Sequence, residues 1–407
     1  MSYFCFFRFI KSYLRRMQFS HIIGQQHVIQ QLQEMVDHNR LSHALLFIGK
    51  EGSGALPLAL AFSSYVVSQS EKNKPVAVTA GLFGDEPAAA TVSHGAELAE
   101  QYIHPDIHYS YPVIPRKSGD KPVSTDYITE WREFIKLYPY GNVYDWLQFI
   151  GAENKQGNIT AAECADIIRK LSLKSFESEY KILLLWMPEY LGNEGNKLLK
   201  LIEEPPANTL FILVAENESL VLPTILSRCQ TVRIPPIDLK DTATALVERA
   251  KLTEEQAMQI AGVSEGNYRE ALQLIQHAEE DWQSLLREWL NAVLKSGPIA
   301  QVKWVDTISQ LGREKQKQFL RYFTHLLEQS IRLRTMGEEH LPLTGAEKDF
   351  AIRLNKLCDV SQQQAITQEL DRAAYHIERN ANAKMLFLAL TIKLYHIIAN
   401  HSVIEVG

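Results

Sequence analysis

Residues Gly49 to Leu56, Gly-Lys-Glu-Gly-Ser-Gly-Ala-Leu, constrain this chain more than any other stretch. Spaced glycines between an apolar run and a helical pattern describe a strand–turn–helix unit, the form of a phosphate-binding loop. In such a loop the backbone N–H groups cradle phosphates, a lysine reaches the β- and γ-phosphates, and a hydroxyl holds Mg²⁺. Gly49 and Gly54 keep that spacing, with Gly52 between them, but Ala55 stands at the lysine position and Leu56 at the hydroxyl position. Lys50 comes too early in the loop to substitute. Ala44 to Ile48 is an apolar run of strand length, and Leu58 to Val67 reads as a helix with Pro57 in its first turn. Taken alone, the octapeptide also fits a plain glycine turn.

A second apolar run, Lys181 to Met187, is of the kind that ends in Asp-Glu to hold Mg²⁺ and orient water. Trp186 and Met187 occupy those two positions, and Glu189 is displaced beyond Pro188. Two separate parts of one nucleotide pocket therefore lack their chemistry, which argues against an active ATPase. Further strands at Thr209–Val214 and Thr231–Ile234 predict an α/β domain with a parallel sheet and helices on both faces. Val28, Leu32, Met35 and Val36 place a helical stripe between residues 25 and 39. Asn193 is expected to cap a helix through Leu198, Leu201 and Ile202 that ends before Pro205-Pro206.

A length of 407 residues with 46% hydrophobic content suggests two or three domains. Pro235-Pro236 marks the first boundary, and residues 238–280 read as short helices. Beyond Asp281 the pattern is helical, over Trp282–Leu294, Lys315–Arg334 and Gln362–His396. Met385 to Ile392 is apolar nearly all round, which predicts a buried helix. The stretch from Ser70 to Thr125 reads as an irregular insertion. Cys5, Cys164, Cys229 and Cys358 are far apart, which fits a reducing compartment and supplies no close ligand pairs for zinc. His104-Pro105-Asp106-Ile107-His108 is dense in ligand types but offers no fourth partner, and is read as structural. No apolar run approaches the ~20 residues that span a bilayer. A net charge of −6 argues against broad DNA binding by the chain alone. Residues 1–16 are aromatic and basic without the layout of a secretory signal, and Met17 is expected to be the functional first residue.

Three segments follow one another: Leu198-Leu199-Lys200-Leu201-Ile202-Glu203-Glu204-Pro205-Pro206, the run Thr209–Val214, and Pro223-Thr224-Ile225-Leu226-Ser227-Arg228-Cys229. This order resembles the clamp-loader branch of the AAA+ ATPases. With the altered phosphate loop, it looks like the delta-prime subunits of bacterial DNA polymerase III clamp loaders. Phe19–Gln25 and Arg40–Ala44 support the likeness in front, Gly266–Leu272 and Arg379–Asn382 behind, so that it covers residues 17 to 400.

The resemblance implies an AAA+ domain over 17–236 after a non-native or disordered extension at 1–16, a helical lid at 237–280 and a helical collar at 281–407. It also implies that Arg228 reaches into the ATP site of a neighbouring subunit, positioned by Ser227 and Cys229. An arginine supplied in trans can contribute about 10³–10⁵ to phosphoryl transfer, and its planar fork suits phosphate oxygens. The alternative for Arg228 is a surface or intrachain ion pair. Gly49, Gly52 and Gly54 become a relic phosphate loop that needs no cofactor, with residual nucleotide or anion binding left open. Arg269 falls at a sensor position on the lid, or pairs across the lid interface. Glu216 stands where relatives carry Thr or Asn, and its charge would repel a γ-phosphate. The four-cysteine zinc knuckle of many relatives is missing.

The implied partners are the gamma/tau ATPase and delta subunits, the sliding clamp, and primed DNA through the assembly, in the cytoplasm and without a membrane. By this reading the chain is no enzyme on its own but part of a polymerase holoenzyme. Two alternatives remain open: an active ATPase using Lys50, and a nucleotide-responsive protein outside replication.

Overall fold

Strand runs that are apolar on both faces demand cover on both faces, and the computed structural model of the chain supplies it. The structure describes residues 18–72, 94–117, 119–152, 155–276, 282–337, 345–379 and 381–399. The extension at 1–16, Met17, Cys5, Asn380 and much of the insertion lie outside the described residues. The chain divides into two compact units, Met1–Ile275 and Gln276–Gly407.

In the first unit, β1 (Ala44–Gly49), β2 (Ile107–Ser110), β3 (Lys181–Trp186), β4 (Thr209–Ala215) and β5 (Gln230–Ile234) form one parallel sheet in the order β2-β3-β4-β1-β5. Every residue of β3 and β4 is buried, as expected for central strands of a parallel sheet. On the edge, β5 exposes Gln230, Thr231 and Arg233, polar residues that blunt further pairing. One face packs Phe47, Leu184, Trp186 and Ile212 with α1 (Gln26–Asp37) and α2 (Ala55–Lys72). Two further helices, α3 (Ile128–Leu137) and α4 (Val143–Phe149), bring Trp131, Phe134 and Trp146 to that same core. The other face packs Leu46, Leu185 and Leu213 under α5 (Ala161–Ser172) and the short helices Leu199–Glu203 and Pro223–Leu226.

Beyond β5, the lid consists of α6 (Leu239–Ala250), α7 (Glu254–Ser264) and α8 (Tyr268–Gln276). Up to Ile275, these helices belong to the same unit as the sheet. They share a small core in which Ile23 and Tyr140 pack with Ile237, Leu246 and Tyr268.

The second unit is helical among its described residues: α9 (Trp282–Asn291), a π-helical turn Ala292–Ser296, α10 (Gly297–Ser309), α11 (Arg313–Met336), α12 (Gly345–Leu357), α13 (Val360–Glu378) and α14 (Ala383–Ala399). Its core is built on Trp289 and Trp304, stacked with centroids 4.5 Å apart. Both indoles are satisfied: Trp289 Nε1 donates to Thr391 Oγ1, and Trp304 Nε1 to the Leu285 carbonyl.

Three expectations require correction. Ile107–Ser110, inside the stretch read as an irregular insertion, is the edge strand β2. Asn193 does not cap a continuous helix: Pro188–Leu198 is 3₁₀-helical, breaks at Gly192 (φ 49°), and becomes α-helical only at Leu199. The helix around Met385–Ile392 is not buried all round. Phe387, Leu390, Leu394 and Ile397 face the core at helical spacing, while Met385 and Ile392 are exposed.

Candidate functional site

The loop between β1 and α2 starts from a strand end with no room for a side chain. A Cβ on Gly49 would lie 2.5 Å from Ser53 Oγ and 3.1 Å from the Cβ atoms of Ala55 and Ile234. Gly52 and Gly54 both have positive φ, 70° and 92°. A Cβ on Gly52 would fall 1.9 Å from Asn267 Oδ1. That oxygen caps α8 by accepting from Glu270 N, while Tyr268 N donates to the Gly52 carbonyl at 3.2 Å. Gly52 therefore gives the loop its close approach to the lid, while Gly49 leaves room for Ser53 and Ala55 and Gly54 for the ring of Tyr140. Ala55 and Leu56 are buried in the sheet–helix core, with neither an amine nor a hydroxyl to offer a phosphate. Lys50 is exposed.

Arg269 is the charged centre of this region, and only 4% of its side chain is exposed. Nε donates to Asp145 Oδ2 and Nη2 to Asp145 Oδ1, both at 2.6 Å, and Nη1 donates to Glu51 Oε1 at 2.9 Å. Glu51 is a residue of the phosphate loop itself. Its Oε2 accepts from Asn142 Nδ2 at 3.0 Å, and Asn142 and Asp145 form the capping box of α4. One lid guanidinium thus clasps the loop and α4 together, and meets two carboxylates. Tyr140 adds a ring contact to Tyr268 at 5.0 Å and accepts the Ile23 N–H at 3.0 Å. Of the two sequence expectations for Arg269, pairing across the lid interface is what this geometry contains.

At the end of β3, Trp186 stands where a metal-holding carboxylate would be needed. Its ring lies 5.2 Å from Trp131 and 6.0 Å from Phe134, inside an aromatic cluster with Tyr111 and Trp146. Glu189 turns its carboxylate to the end of β4 and accepts the N–H groups of Glu216 and Asn217 at 2.7 and 2.9 Å. Burial raises its pKa. The residues present do not fit a Mg²⁺-nucleotide: the amine, the hydroxyl and the strand-end carboxylate are each replaced by a buried apolar group.

The His104–His108 segment serves local structure. Asp106 accepts from the N–H groups of Phe176, Glu177 and Ser178, and its own N–H meets His104 Nδ1. Burial, reinforced by Lys170, lowers the His108 pKa to about 4. Among the described residues no group of three or more His, Cys, Asp or Glu side chains could hold a metal ion.

Arg228 follows the short helix Pro223–Leu226 on the opposite sheet face from the aromatic cluster. It folds back on its own chain. Nε donates to Glu203 Oε1 at 2.5 Å, Nη2 pairs with the same oxygen, and Nη1 meets the Thr224 carbonyl at 2.7 Å and Ser227 Oγ at 3.1 Å. Ser227 Oγ in turn donates to the Thr224 carbonyl. Cys229 is half-buried against the sheet core, and burial pushes its thiol up to about 11, which suits packing and not nucleophilic attack. Sequence reading did not anticipate Glu51, Asn142, Asp145 or Glu203. Only the Asn142–Asp145 cap carried a local signal.

A five-stranded parallel sheet in this order, with a phosphate-type loop from β1 to α2 and a helical lid clasping that loop, defines an AAA+ ATPase fold. The protein family described as DNA polymerase III, delta subunit, matches residues 24–238, more than half of the chain. The chain belongs to that family. It is 26% identical over 257 residues to the DNA polymerase III subunit delta' of Bacillus subtilis (strain 168), covering 63% of this chain and 60% of the relative. It is 24% identical over 325 residues to the tau subunit of the same organism, covering 77% and 47%. The chain thus matches less than two thirds of the length of these relatives. Among solved structures, the Bacillus subtilis DNA clamp loader delta protein aligns at 12% identity with a TM-score of 0.30, over 90% of this chain and 99% of that one. A gamma subunit-related protein of Thermotoga maritima aligns at 14% identity with a TM-score of 0.34, over the same shares. Among the described residues, no helix is long and apolar enough to cross a membrane.

Proposed function

We propose that this chain is a non-hydrolysing subunit of a replicative clamp loader that supplies Arg228 in trans to the ATP site of a neighbouring subunit. It works with gamma/tau ATPase and delta subunits in the cytoplasm, and helps open and seat a sliding clamp at primed DNA. Residues 281–407 act as the collar that joins it to the ring. The observation that carries this reading is the contrast between two arginines. Arg269, which reaches the chain's own loop from α8, is buried and committed to Glu51 and Asp145, and positions 55, 56 and 186 hold buried apolar groups. Arg228 lies at the surface, with 31% of its side chain exposed and only exposed partners. The charge that stabilises phosphoryl transfer is thus available to a neighbour's nucleotide and withheld from the chain's own.

The test is ATP hydrolysis by the complex reassembled with the organism's own ATPase, delta and clamp subunits on primed DNA. Arg228→Ala should assemble normally and lose about tenfold or more of the DNA-stimulated rate at the interface it faces. A rate equal to wild type would reduce Arg228 to a structural role. Hydrolysis by the isolated chain that Lys50→Ala abolishes would instead establish an active ATPase.

A further inference from the structure

Arg228 has five N–H groups in a fixed fork. Within the chain, Nε and Nη2 both meet the same oxygen of Glu203, and Nη1 engages both Thr224 and Ser227. Glu203 ends the helix Leu199–Glu203, 25 residues before Arg228, so the pair joins two separate elements and is not a by-product of helical spacing. The Glu203 side chain is 45% exposed. It sits at a helix C-terminus, where the macrodipole disfavours a negative charge.

A carboxylate presents a guanidinium with the same kind of acceptor oxygens as a phosphate. We infer that Glu203 is an internal competitor for Arg228: it stands in for phosphate oxygens and parks the side chain against residues 223–228 until a neighbour's nucleotide displaces it. This inference rests on the trans-arginine reading and deepens it by naming Glu203 as a positioning residue that sets how readily the finger engages. An exposed ion pair is weak, so parking delays engagement without preventing it. A phosphate carrying more than one negative charge outcompetes a single carboxylate. The engaged state, once formed, no longer involves Glu203.

These relations separate binding from turnover. In the reassembled complex, Glu203→Gln should lower the KM for ATP by ~2- to 5-fold and leave kcat within about twofold of wild type. The shift should vanish in an Arg228→Ala background, because Glu203 acts only through that side chain. Glu203→Asp keeps the charge but withdraws it by one methylene, and should fall between wild type and Glu203→Gln. Melting temperatures of the free subunits identify any variant that fails to fold, and Glu203→Asp then carries the test.

If Arg228→Ala is defective while Glu203→Gln and Glu203→Asp match wild type in KM, the competitor role is overturned and the trans-arginine reading stands. If Glu203→Gln lowers kcat as Arg228→Ala does, Glu203 holds the finger in its productive pose, and parking is wrong. If Arg228→Ala itself matches wild type, both readings fall.

Discussion

Replacing Arg269 by alanine removes a guanidinium that is 4% exposed and leaves Glu51 and Asp145, whose side chains are 19% and 17% exposed, facing each other without it. Breaking a buried ion pair by deleting one partner costs about 3–5 kcal/mol, because the survivor keeps a desolvated charge. Here two carboxylates survive, but both retain some access to water, and Asn142 still donates to each. The cost should therefore lie near the lower end, ~3 kcal/mol. Spread over a unit of roughly 250 residues or more, that corresponds to a fall of about 5–6 °C in melting temperature. Arg269→Lys keeps the charge but not the fork, and should lose less. Hydrogen exchange gives the loss a location: the amide of Tyr268, which donates to the Gly52 carbonyl, and the first turn of α8 should lose protection before the sheet does. A melting temperature within 2 °C of wild type for Arg269→Ala, with unchanged exchange at Tyr268, would refute the claim that this arginine holds the lid on the loop.

Two further outcomes follow from local geometry. Gly52→Ala combines a left-handed φ of 70° with a Cβ 1.9 Å from Asn267 Oδ1, so it should cost ~1–3 kcal/mol and loosen the same lid contact, read by thermal unfolding and exchange at Tyr268. His108 binds its proton near its ordinary pKa of 6.5 when unfolded but only near 4 when folded. Its contribution is therefore complete above pH 6.5 and is lost as pH falls towards 4, up to ~3 kcal/mol, and urea titrations of wild type and His108→Gln should show the wild type losing more across that window.

How much of this was legible in the sequence depends on how far each feature reaches along the chain. The central strands announce themselves because both faces are buried, so β1, β3 and β4 are unbroken apolar runs. Four-residue β2 carries no such signal, since Ile107-His108-Tyr109-Ser110 mixes polar and aromatic residues at a sheet edge. The altered phosphate loop was plain from Ala55 and Leu56, because that chemistry is tied to spacing. What could not be read was where the arginines point. Arg269 meets a carboxylate 218 residues away in sequence and another 124 away, and no local pattern encodes either pairing. Met385–Ile392 misled for the opposite reason. Its composition is apolar throughout, but only the residues at core spacing find cover within the chain.

Trp186 sets the order in which a metal site could be built into this fold. The position that would have to carry a carboxylate is an indole packed against Trp131 and Phe134, and an unpaired charge there would face aromatic carbon. A variant designed to bind metal there would have to rebuild that nucleus before it gained anything from the metal. It would also need an amine and a hydroxyl at the loop, and Arg269 freed from two carboxylates. Each step taken singly removes stability from a domain that has only about 5–15 kcal/mol to lose. The side chains that fill the space a metal would need are thus also the ones that hold this part of the domain together.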